Sequence, residues 1–132
     1  MILEIVNPEE LISRYIFEKT HFRSDNSVKH NAFMPPKDKL EVSVYRIKGL
    51  STDEIWQIGN EYVAQQRGKD LLGRADILAE HAYRHGLDIK PDTHPHPRHA
   101  NISGFPAGNN EKVRMLALEL AACASFHPRN AY

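Results

Sequence analysis

The stretch 40-LEVSVYRI-47 admits few folds. Leu40, Val42 and Val44 alternate with Glu41, Ser43 and Tyr45, the period-two pattern of a strand with one apolar and one polar face. Such a strand needs neighbours in a sheet and an apolar layer on one side. Arg46 breaks the pattern by falling on the apolar face at the strand's end.

The clearest covering element lies near the C-terminus. Asn109 or Asn110 caps a helix predicted to run to about Phe126, with Val113, Leu116, Ala117, Leu120, Ala121 and Ala124 on one stripe. Asn7-Pro8-Glu9-Glu10 reads as a helix start, and Leu11, Ile12, Tyr15 and Ile16 then predict a helix over about 8–19. Ser51 and Glu54 form a capping box, followed by Ile55, Ile58, Tyr62 and Val63 at helical spacing until Gly68. Ala75, Leu78, Ala79, Ala82 and Tyr83 predict another helix, stopped by Gly86, with Asp76, Glu80 and Arg84 along its outer face.

Residues 27–34 read as a strand joined to 40–47 by PPKDK; 87–90 and 99–103 read as short strands, and 69–76 is ambiguous. Pro95 and Pro97 predict an extended, polyproline-like run. The expected fold is α+β: a small, mainly antiparallel sheet of three to four strands packed against about four helices, as a single domain over 1–132.

Seventeen Lys and Arg balance seventeen Asp and Glu, so affinity for nucleic acid or an anionic surface must be local. Cys123 stands alone in the last helix's apolar stretch, which excludes an internal disulfide and a cysteine-based zinc site. The N-terminus lacks the basic start and long apolar run of a signal peptide, and no stretch approaches a transmembrane span. The expected setting is the cytoplasm, with no membrane partner.

The most conspicuous polar segment is 92-DTHPHPRHANISGFP-106. His94, His96 and His99 have a spacing that resembles the H-x-H-x-x-H ligand motif of metallo-β-lactamase-like hydrolases, but Arg98 stands where that motif carries an aspartate. A guanidinium there favours anions over cations. A His-ligated metal hydrolase, with His94, His96 and His99 as ligands, therefore ranks third.

The first-ranked reading needs no cofactor: a metal-independent RNA- or nucleotide-phosphate-binding or processing protein with a His/Arg cleft. His96 and His99 are its expected proton carriers; Arg98 and Arg46 hold the anion, with Asn101, His21 and Lys29 in support. Residues 19–48 carry seven Lys and Arg against three acids, and the cleft requires that segment to lie beside 94–103. No serine sits in a G-x-S-x-G elbow, so no nucleophile is assigned. The alternative is a non-catalytic protein-interaction or homodimerising domain that uses Trp56, Phe105-Pro106 and the terminal FHPRNAY. A purely structural reading pairs Arg46 and Arg98 with Asp88, Asp92 or Glu41.

Overall fold

The computed structural model describes residues 4–129. Its centre is one six-stranded antiparallel sheet in the order β4-β5-β2-β1-β3-β6. The strands are β1 (Leu11–Ile16), β2 (Val42–Arg46), β3 (Gly73–Leu78), β4 (Asp88–Pro91), β5 (His99–Ser103) and β6 (Ser125–Pro128). Among the described residues there are three helices: α1 over 52–67, α2 (Ala79–Arg84) and α3 (Asn110–Cys123). Gly59–Ala64, in the middle of α1, is π-wound. The expected three to four strands on about four helices is thus corrected to six strands on three helices, still of α+β type.

Two central strands account for most of the correction. In β1, Ile12 and Ile16 join the large core, while Tyr15 joins a second cluster on the opposite face. A strand buried on both faces places apolar residues at i, i+3 and i+4, which imitates a helix. The Asn7–Glu10 signature is instead a turn, with the Glu10 amide donating to the Asn7 carbonyl and the Asn7 amide to the Glu10 carboxylate. β3 repeats the imitation: Ala75 and Ile77 enter the large core, and Arg74 and Asp76 are buried on the other side. The helix expected from Ala75 starts only at Ala79, keeping the Glu80–Arg84 pair but not Asp76.

Smaller corrections follow from local hydrogen bonding. The strand expected over 27–34 is one bridge (Phe22 to Val28) and a 3₁₀ turn, His30–Phe33, which drives Ala32 and Phe33 into the core. α3 ends at Cys123, which is exposed rather than in the core, and Phe126 continues in β6. There its ring lies so near Gly73 that any Cβ at that position would come within 2.6 Å of it. The Ser51–Glu54 capping box forms as read, with both reciprocal bonds present.

The two sheet faces differ in character. On one, Val42, Val44, Ile77, Ala100 and Ile102 pack in the large core with the α3 stripe Val113, Leu116, Ala117, Leu120 and Ala121. The other is polar: His99, Tyr45, Ser13, Asp76 and Ser125 stand in successive register, beside the ladder Tyr15, Arg74 and His127. α1 crosses this polar face at Tyr15, whose hydroxyl donates to the Ile55 carbonyl at 2.5 Å. Gly59 permits the approach, since a Cβ there would meet the Tyr15 ring at 2.6 Å. No helix among the described residues is long and apolar enough to cross a membrane.

Candidate active site

Beside the crossing of α1, the polar face carries a hydrogen-bonded series built from three strands' worth of backbone. Ser43 lies opposite Asn101, and Tyr45 opposite His99. His99 is buried, and its Nε2 lies 2.6 Å from the Ser43 hydroxyl oxygen. Its Nδ1 lies 2.9 Å from the backbone carbonyl oxygen of Asp92 and 3.7 Å from that residue's carboxylate.

A carbonyl only accepts, so Nδ1 must carry the hydrogen. In neutral His99, Nε2 is then the acceptor, and the Ser43 hydroxyl donates to it. That is the tautomer a general base requires, with the serine as the group it would deprotonate. Asn101 contributes at one remove, its amide donating to the Asp92 carboxylate at 3.4 Å.

His96 shares the neighbourhood. Its ring meets Tyr62 edge-on at 4.6 Å and Tyr45 at 6.3 Å, while Tyr45 meets His99 at 5.3 Å. The backbone amide of Arg98 donates to His96 Nδ1 at 3.0 Å, leaving Nε2–H as the donor of the neutral ring. Burial, and then the Arg98 charge, hold His96 below the usual histidine range. The segment 94–98 is not the expected polyproline run but a bend and turn closing the β4–β5 hairpin, with the His99 amide donating to the His96 carbonyl.

The other expected site residues separate. His94 is exposed, its amide donating to Asp92. With Nδ1 of His99 on a carbonyl and Nε2 on Ser43, the trio has no convergent lone pairs. Among the described residues no three His, Cys, Asp or Glu side chains gather as a metal site would need. Arg46 is buried and takes both oxygens of Glu10, with the carbonyls of Glu4 and Ile5. Arg98 donates to the carbonyls of Arg46 and Lys48. Both arginines thus tie backbone in place, and neither pairs with Asp88, Asp92 or Glu41. Lys29 and His21 sit together, the Lys29 amide donating to the His21 carbonyl.

The residues of the interaction reading are largely used internally. Phe105 is buried, and Trp56 covers the Arg74 guanidinium at 4.8 Å. Of the terminal FHPRNAY, residues 130–132 lie outside the described residues. A groove of about 1170 Å³ runs past Trp56, Asn60, Lys69 and Arg129, but it contains none of Ser43, His96 or His99. Its cations are engaged, Arg129 with Asn60 and Lys69 with Glu18.

Sequence reasoning missed Ser43 because it sought a motif. The signal was present in the strand register: Ser43 and Tyr45 alternate outward from β2, and His99 and Asn101 do the same from β5. Compared with known proteins, the chain matches no family model, no curated protein and no solved structure.

Proposed function

We propose that this protein is a metal-independent ester-cleaving enzyme with Ser43 as nucleophile and His99 as general base. The observation that carries this reading is the 2.6 Å contact from Ser43 to a His99 whose other nitrogen is committed to a carbonyl. In the step proposed, the Ser43 proton passes to His99 Nε2 as Oγ bonds to the ester's electrophilic carbon or phosphorus. The bond to the leaving oxygen breaks, and His99 returns the proton to that oxygen. Water then releases the group from Ser43 by the same exchange in reverse order.

His96 takes a different part from the proton carrier expected of it. A neutral imidazole is too weak an acid to hand over Nε2–H, but it donates well to charge developing on the substrate. The nucleotide- or RNA-phosphate reading thus keeps its two histidines and gains a protein nucleophile.

A fluorophosphonate probe tests the proposal. Purified protein is expected to acquire one adduct, mapped by mass spectrometry to Ser43 and absent in Ser43→Ala. Folded wild-type protein that stays unlabelled at Ser43 under forcing probe concentrations would remove the reading.

A further inference from the structure

Where α1 crosses the polar face, its winding changes. The Gly59 amide donates to two carbonyls, those of Ile55 and Trp56, and the Ile55 carbonyl also accepts from the Tyr15 hydroxyl. A side chain that enters the helical ladder in this way disturbs regular winding. The Tyr15 ring reaches so far in because residue 59 carries no Cβ. Beyond that point the helix is π-wound through Ala64, and the Gln65 amide donates five residues back, to the Asn60 carbonyl. Single π turns inside α-helices frequently sit at functional sites.

The change decides where Tyr62 stands. By α spacing, Ile55 and Ile58 put Tyr62 on the buried stripe. A π turn takes in an extra residue, and the buried position falls to Ala64 while Tyr62 is left 38% exposed. The Tyr62 ring meets that of His96 edge-on, with centroids 4.6 Å apart and planes at 74°. This is the geometry of a favourable aromatic pair. The Arg98 amide holds His96 Nδ1 at 3.0 Å and so fixes one end of the imidazole. Tyr62, and farther off Tyr45 at 6.3 Å, limit the rotation that this hydrogen bond leaves open. His96 belongs to the β4–β5 hairpin and Tyr62 to α1, so neither backbone alone orients the pair.

We propose that Tyr62 is the positioning residue of His96: its ring, placed by the π turn, holds the imidazole with Nε2–H presented to the substrate of Ser43. This rests on the reading of Ser43 and His99 as the reacting pair, with His96 as the donor beside it. A donor to developing charge is effective when it is already in place as the charge appears. His96 stands on a partly exposed turn, where packing against a second element supplies that constraint. Tyr62 acts through His96 alone, and because the contact is between rings, phenylalanine should serve in its place.

The test follows the rate of fluorophosphonate labelling at Ser43 together with the His96 imidazole resonances. The proteins compared are wild type, Tyr62→Phe, Tyr62→Ala, His96→Ala and the Tyr62→Ala/His96→Ala double variant. Tyr62→Phe should keep both the wild-type rate and the His96 titration midpoint. Tyr62→Ala should slow labelling about threefold to tenfold, the size of one aromatic pair contact. It should also raise the midpoint, because burial is the largest cause holding His96 down. In the His96→Ala background, loss of Tyr62 should slow labelling no further, since two residues that act as one are not additive. Equal rates in wild type and Tyr62→Ala, or the same slowing with and without His96, would overturn the role of Tyr62 and leave Ser43 and His99 untouched. Should Tyr62→Ala fail to fold, Tyr62→Leu carries the same comparisons. Wild-type protein inert at Ser43 would refute the reacting pair, and with it any catalytic use of Tyr62, even where the midpoint still rises in Tyr62→Ala.

Discussion

At one end of the polar face His99 lies 3.7 Å from a carboxylate oxygen of Asp92; at the other, His127 lies 3.5 Å from one of Asp76. The two pairs diverge in everything around them. Asp92 is half exposed, and its backbone carbonyl, rather than its carboxylate, makes the closer contact with His99. Asp76 is buried and accepts twice from Arg74 at 3.2 Å, beneath Trp56. His127 is the exposed partner there, at 48% side-chain accessibility, and no hydroxyl hydrogen bonds to it among the described residues. A histidine beside an aspartate therefore does not make a reactive site. What separates the two is a proton within reach: among the described residues His99 has the Ser43 hydroxyl at 2.6 Å, and His127 has no such partner.

That contrast can be broken at either end. The largest effect is expected from His99→Gln, which should lower the rate of fluorophosphonate labelling at Ser43 by about 10²–10⁴ while the circular dichroism spectrum stays native. His127→Gln should leave the labelling rate unchanged. Equal losses in both variants would mean that neither histidine acts on Ser43. Next in size, Asp76→Asn strands the buried Arg74 charge and should cost about 3–5 kcal/mol in urea unfolding. A cost below about 1 kcal/mol, the range of exposed ion pairs, would show that the buried Arg74–Asp76 pair does not hold that end of the face together.

Asp92→Asn should do much less. Because His99 donates to the main-chain oxygen, its tautomer survives the change, and labelling should slow by less than about tenfold. A loss as large as that of His99→Gln would make the carboxylate the true orienting group. The smallest effect concerns His96. Arg98→Gln should raise its NMR titration midpoint without restoring the ordinary value, since burial is the larger cause of the depression. A depressed histidine contributes stability that is present above its unfolded value of about 6.5 and is lost as pH falls through its folded value. Stability should therefore decline on acidification in that window, less steeply in Arg98→Gln. An unchanged midpoint would remove Arg98 from His96's electrostatic surroundings.

How far the sequence carried these conclusions depended on how many faces of each element are buried. β2 alternates cleanly and was legible, as were the short strands later placed at Asp88–Pro91 and His99–Ser103. β1 and β3 have both faces covered, so period two and period 3.6 both fit Leu11–Ile16 and Ala75–Ala79; only the pairing of distant strands decides between them. His96 and His99 drew attention through the local run of histidines in 92–106. Ser43 required knowing that β2 lies against β5. Arg46 and Arg98 attracted attention as cations, but their partners, Glu10 and the carbonyls of residues 46 and 48, come from elsewhere in the chain.

The brevity of the β1–β2 ladder has a mechanical consequence. The sheet divides into two half-sheets, β4-β5-β2 and β1-β3-β6, joined along a seam of two register pairs that the Ile47 amide extends to the Leu11 carbonyl. Ser43, Tyr45 and His99 ride on the first half, and Arg14, Phe17 and His21 belong to the second. The Arg14 guanidinium is a stitch across that seam, one side chain of β1 holding the Ser43 carbonyl of β2 where the ladder itself has ended.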